Sequence, residues 1–193
     1  MSFVVVTAPA EEPITLSEAK AHLRVDDSSS DALITSLIVA AREYAEKYTN
    51  RALITQTLRA YYDSFYDQNP DGVLRLPRPV LQSVTSVKYI DTNGTEQTVS
   101  SSLYKVDVAS VPARVAPVFG EVWPSARYEI NAVYVEYVAG YGLAVAVPQD
   151  IKQAMLLHIG HMFENREQTT PVAISEVPMA YLALMSTYRV WGF

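Results

Sequence analysis

The sequence predicts an α+β protein: a small helical bundle (about four helices) with an antiparallel β subdomain inserted between the second and third long helices. Three observations carry this reading. Apolar residues recur at helical spacing before residue 50 and again after residue 148. The stretch between them is rich in Thr, Tyr and Val and is punctuated by Pro and Gly. Within that stretch Asn93-Gly94 supplies a hairpin signal. The expected organisation is an N-terminal arm over 1–13, a helical core with a C-terminal tail over 14–52 and 145–193, and the β subdomain over 53–144.

The first helix opens after Pro13-Ile14, where Thr15 and Glu18 have capping-box spacing. Leu16, Ala19 and Leu23 mark its apolar face. The polar run from Asp26 to Asp31 breaks it and offers a new N-cap with acidic first-turn residues. The second helix is expected over 31–48. Leu33, Leu37, Ile38, Ala41, Tyr44, Ala45 and Tyr48 lie at helical spacing, and Asn50 falls just past the end.

Strands follow. Thr57, Leu58, Tyr61 and Tyr62 favour extended backbone, as do Val84, Val87, Tyr89 and Ile90. Leu74-Arg75-Leu76 leads into Pro77-Arg78-Pro79, which fits a sheet edge or a linker. Residues 96–99 return from the hairpin, 104–108 alternate, and 114–119 and 132–138 are further strands. Gly140-Tyr141-Gly142 ends the β section. The third long helix starts at Pro148 with Ile151, Ala154, Met155, His158, Ile159, Met162 and Phe163 as its stripe. A last short helix begins at Pro178 and carries Tyr181, Leu182, Leu184 and Met185.

Composition excludes several classes. The 193 residues contain no cysteine, so a disulfide scaffold, a thiol nucleophile and Cys-ligated metal are ruled out. The net charge of −6 argues against the basic footprint of a specific nucleic-acid binder. Residues 1–10 are apolar but lack a basic leader region and a clear small-residue cleavage site. The longest uncharged runs, such as 137–149, are shorter than the roughly 20 residues of a spanning helix. Tyrosine is over-used, 13 against 5 Phe and 2 Trp. Its apolar ring and polar tip suit partly wet interfaces.

Two constellations hint at metal. Asp67-Gln68-Asn69-Pro70-Asp71-Gly72 matches the opening six positions of an EF-hand loop, but its twelfth position is Arg78, whose charge opposes a cation. An Asn-Pro-Asp-Gly turn explains the same residues. His158, His161 and Glu164 lie three apart on one helix, yet the spacing is not that of a zinc protease, and a buried His158 explains it. No nucleophile elbow, phosphate loop or dinucleotide fingerprint is present. The expectation is a protein without catalytic residues, cofactor or metal. A calcium- or carbohydrate-binding β module with helical ends is the alternative, resting on 67–72 and the tyrosines.

Four ordered stretches resemble one family. They are Ile14-Thr15-Leu16-Ser17-Glu18-Ala19-Lys20-Ala21-His22-Leu23-Arg24-Val25; Pro77-Arg78-Pro79-Val80-Leu81-Gln82-Ser83-Val84-Thr85-Ser86-Val87-Lys88-Tyr89-Ile90-Asp91; Val147-Pro148-Gln149-Asp150-Ile151-Lys152-Gln153-Ala154 with Phe163-Glu164-Asn165-Arg166-Glu167; and Leu184 through Tyr188-Arg189. Together they resemble the head–tail connector (adaptor) proteins of tailed bacteriophages, in the longer form with a β insertion.

The resemblance implies a structural virion protein assembled in the host cytoplasm and residing in the neck. Such proteins form a ring, typically of twelve subunits, that joins the portal to the tail and extends the DNA channel. The implied partners are the portal, neighbouring copies and a tail or tail-completion (stopper) protein. DNA would pass through without sequence-specific binding, and no membrane is involved. The family's C-terminal helix and tail commonly engage the portal, which corresponds here to about 178–193. Tyr181, Met185, Tyr188, Arg189, Trp191 and Phe193 are the expected partner-binding residues. Trp191 and Phe193 extend past the family pattern and enter because exposed aromatics at a chain end suit a docking anchor. An acidic wall would repel DNA phosphates, whereas a basic one would hold them through counterion release.

Overall fold

The computed structural model describes residues 2–67, 70–165 and 179–191. The chain forms two compact units. A helical unit comprises Glu11–Ile54 and Gly142–Trp191, and a β unit comprises residues 2–10 and Thr55–Tyr141.

The helical unit begins with α1 (Leu16–Leu23), opened by the capping box. The Glu18 N–H donates to Thr15 Oγ1 at 3.1 Å, and the Thr15 N–H donates to Glu18 Oε2 at 2.7 Å. The Thr15 N–H and the Thr15 hydroxyl both donate to the Glu18 carboxylate and hold it below its ordinary range. Arg24 caps α1 in left-handed backbone, φ 57°. Lys20 Nζ meets Asp31 at 2.7 Å and ties α1 to the first residue of α2 (Asp31–Thr49). Asn50, at φ 56°, ends α2 where an asparagine tolerates that conformation best among non-glycines. Next come α3 (Gln149–Glu164), entered through Pro148, and α4 (Met179–Ser186). Among the described residues no helix is long and apolar enough to cross a membrane.

The buried stripe of α2 is rotated from the expected one. Ile34, Ile38, Ala41 and Ala45 are buried, while Leu33 and Leu37 are half-buried. Arg42 and Glu46 share the inner face, which is why an apolar count misplaces its centre. They are buried as partners. Arg42 Nε donates to Glu12 at 2.7 Å, Arg42 Nη1 to Glu46 at 3.2 Å, and the Leu53 N–H to Glu46 Oε1 at 2.9 Å. One ion-pair network thus anchors the segments that enter and leave the first half of the unit. Ile151, Ala154, Met155 and Ile159 of α3 and Tyr181 and Met185 of α4 complete the core.

The β unit contains two antiparallel sheets. The larger has the order β1–β2–β8–β4–β5, with β1 Ser2–Thr7, β2 Gln56–Tyr62, β4 Leu81–Ile90, β5 Glu96–Thr98 and β8 Val133–Ala139. The smaller has the order β3–β7–β6, with β3 Leu74–Arg75, β6 Tyr104–Asp107 and β7 Arg114–Pro117. Period-two burial sets the register of the central pair. Leu58, Ala60 and Tyr62 lie opposite Tyr137, Val135 and Val133 on the buried face. On the other face Arg59 lies opposite Glu136, paired at 2.7 Å, and Tyr61 lies opposite Tyr134.

The buried tyrosines have a definite job. Tyr62 donates its hydroxyl to the Arg75 carbonyl at 2.7 Å, and Tyr137 donates to the Pro77 carbonyl at 2.6 Å. The Arg75 and Pro77 carbonyls are satisfied from inside, and burial pushes both phenols up. Trp123 stacks on Phe65 at 4.6 Å and donates to the Gly72 carbonyl at 2.6 Å.

Two expectations change here. Residues 2–7 are not a free arm but the edge strand β1, paired from Ser2↔Tyr61 to Thr7↔Thr57. Their β-branched run carried that signal, since valine fits a pleated surface. The hairpin after β4 is present, but its turn is organised by Asp91. The Asp91 carboxylate accepts from the Asn93 and Thr95 N–H groups at 2.9 and 3.0 Å, and Gly94 alone of the two turn residues takes positive φ.

Candidate partner interface

The C-terminal segment of the helical unit is built on α4. Tyr181 and Met185 are fully buried, so they hold α4 in place and offer no surface while it is docked. The Tyr181 ring packs against Tyr44 at 5.6 Å and Tyr48 at 5.9 Å from α2, and against His158 at 5.3 Å from α3. Tyr44 and His158 meet edge to face at 4.7 Å. Such tilted rings are worth about 0.5–1.5 kcal/mol per pair beyond burial. The cluster is polar as well as apolar. His158 Nδ1 and the Tyr181 hydroxyl are buried with no hydrogen-bond partner among the described residues. Burial lowers the His158 pKa, with His161 adding to the shift, and burial raises that of Tyr181.

Beyond α4 the backbone is pinned. Arg51 Nε donates to the Tyr188 carbonyl at 2.6 Å, and the Val190 N–H donates to the Thr49 carbonyl at 3.0 Å. The Tyr188 hydroxyl donates to Asp150 at 3.3 Å. Arg189 stands between two rings, 5.2 Å from Tyr48 and 4.0 Å from Trp191. Trp191 is 73% exposed. Of the expected residues, Tyr188, Arg189 and Trp191 therefore form a pinned, accessible group, whereas Tyr181 and Met185 lie beneath it. Phe193 lies outside the described residues. Sequence periodicity did not single out Arg51, because a backbone anchor leaves no pattern.

Among the described residues, the metal-like motifs of 67–72 and 158–164 gather no ligand set, and no three His, Asp or Glu side chains stand close enough to hold an ion. Gln68 and Asn69 lie outside the described residues. At the other end of that loop, the Gly72 carbonyl is engaged by Trp123. Arg78, at the twelfth position, lies over the Phe3 ring at 5.2 Å. His158 faces the aromatic cluster, and His161 contacts Asn165 at 3.4 Å.

Residues 13–117 match the family model described as phage gp6-like head-tail connector protein. No curated protein matches the sequence. Solved structures match over the whole chain, both units included. A chain in the neck of an empty gene transfer agent particle, computed with C6 symmetry, is 25% identical with a TM-score of 0.78, covering 100% of this chain and 97% of that one. A chain in the virion of a native gene transfer agent particle is 24% identical with a TM-score of 0.79 and the same coverage. A third, in the native neck computed with C12 symmetry, is 24% identical with a TM-score of 0.76, again covering 100% of this chain and 97% of that one.

Proposed function

The chain belongs to the phage gp6-like head-tail connector family, and from that premise we propose that it forms a ring of copies, twelve in the complete neck, joining the portal to the tail. The observation that carries this reading is the full-length match to a particle-neck chain. A likeness confined to the helices would support only a shared bundle. The role is structural and needs no catalytic group. DNA passes along the ring axis without sequence-specific binding, and an excess of acidic over basic residues, 21 against 15, keeps phosphates from adhering to the wall.

In this reading each copy touches neighbouring copies through two unlike surfaces, the portal through the C-terminal segment, and a tail or tail-completion protein on another face. Tyr188, Arg189 and Trp191 make the portal contact. Support comes from their geometry: an exposed indole held by a cation is pre-organised, so little ordering entropy is lost on docking. Phe193 extends the same contact. Tyr181 and Met185 contribute by seating α4. Native mass measurement of the chain with its purified portal tests the assembly. A closed ring with a fixed ratio of chain to portal is expected, and binding of isolated single copies at any ratio would overturn it.

A further inference from the structure

β1 is the outermost strand of the five-stranded sheet and is hydrogen-bonded on one side, to β2. An open edge presents unpaired N–H and C=O groups, and proteins usually blunt it with charge, proline or shortness. The opposite edge obeys this rule. β5 is three residues long, and its Glu96 pairs with Lys88 at 2.8 Å. β1 is interrupted by a register irregularity between Val5 and Thr7 but is otherwise unguarded. Ser2–Thr7 carries no charge and no proline, and Val4, Val5 and Val6 are 47%, 51% and 46% exposed in succession.

The smaller sheet offers a matching surface. Of its two edges, β3 has two residues and β6 has four. Beside β6 lies a hollow of about 540 Å³ whose apolar lining is Val73, Val106, Val108, Ala109, Ala116 and Pro117. Its Asp107 and Arg114 are ion-paired with each other at 2.5 Å. Lys105 also lines the hollow, and a lysine stem is long enough to keep its ammonium in water beside an uncharged strand that covers the paired charges and the apolar lining.

Symmetry selects the occupant. Pairing of β1 with β1 is isologous and closes on two copies, whereas a ring needs unlike surfaces on each subunit. β1 and β6 are unlike and belong to the same chain. The chains this one resembles come from necks computed with C6 and C12 symmetry. A six-residue strand is about 20 Å long, so this contact alone falls short of the ~1,200 Å² of a stable pair. It is weak between two copies and strong where ring closure repeats it.

We propose that β1 of one copy adds to the open edge of β6 in the next copy and lays its valines on the apolar hollow. This rests on the ring reading. The chain has no cysteine, so Val5→Cys and Val108→Cys introduce single thiols without background. Oxidation of an equimolar mixture of the two full-length variants at millimolar concentration is expected to give mixed dimers well beyond the share that random collision of the two thiols produces. A purely statistical mixture, absence of the mixed dimer, or dominance of Val5→Cys homodimers overturns the pairing. Val5→Lys, at an exposed position, is expected to leave the melting temperature unchanged and weaken self-association about tenfold. Unchanged association overturns the proposal as well. The chain-to-portal ratio is read without reference to either position, so the ring and the strand pairing fail separately.

Discussion

Arg189 lies 4.0 Å over the ring of Trp191, and this contact holds an exposed indole in one orientation beside α4. Pre-organised aromatic and arginine side chains dominate binding energy at interfaces. Trp191→Ala is expected to weaken portal binding by about 2 kcal/mol, roughly 30-fold. The same change should shift the melting temperature little, because the ring is already in water. Interferometry against immobilised portal measures the first effect and a thermal scan the second. Full-affinity binding by the variant would remove the segment from the interface.

Tyr181 buries a hydroxyl that has no partner among the described residues. Tyr181→Phe removes that group and keeps the ring. Because an unmade buried hydrogen bond costs about 1–3 kcal/mol, the variant is expected to be as stable as the wild type or more so. Tyr181→Ala instead leaves a cavity beneath Tyr44, Tyr48 and His158 and should cost about 3–5 kcal/mol. Chemical denaturation distinguishes the pair. A Phe variant that is clearly less stable would mean the hydroxyl is bonded in solution.

His158 gives the helical unit a pH dependence. Burial, with His161 adding, holds its imidazole below the ordinary 6.5. The folded chain therefore binds this proton less readily than the unfolded chain. The stability contributed by this group is complete above the unfolded value and is lost as pH falls below it, by at most about 1.4 kcal/mol per pH unit. Melting temperatures measured downward from neutral pH to about pH 5 should fall more steeply for the wild type than for His158→Phe. Parallel curves would show that His158 does not titrate in that window.

Glu46 accepts from both Arg42 and the Leu53 N–H inside the helical unit. Glu46→Ala strands a buried amide and leaves Arg42 with Glu12. The expected loss is about 3 kcal/mol, seen as a lower denaturation midpoint at unchanged slope. A loss under about 0.5 kcal/mol would mean that water replaces the carboxylate.

The order of elements was legible in the chain because local rules wrote it. Thr15 and Glu18 announce α1, Asn50 closes α2, and strand-favouring residues flank Asn93-Gly94. The misreadings have the same physical root. Arg42 and Glu46 interrupt the apolar stripe of α2, and because the second carboxylate on Arg42, Glu12, is 30 residues away, burial of the pair cannot be read locally. Residues 2–7 look like an arm until β2 supplies their hydrogen bonds.

The C-terminal segment divides in the same way. Sequence alone determined that tyrosine, arginine and tryptophan cluster there, and composition excluded thiol chemistry. Only the tertiary structure decided that Tyr181 and Met185 face inward while Trp191 faces water. Residue type sets what a side chain can bind, but exposure depends on which surfaces of α2 and α3 lie beneath it. The α2 surface comes from residues more than a hundred positions away along the chain, where no local pattern reaches.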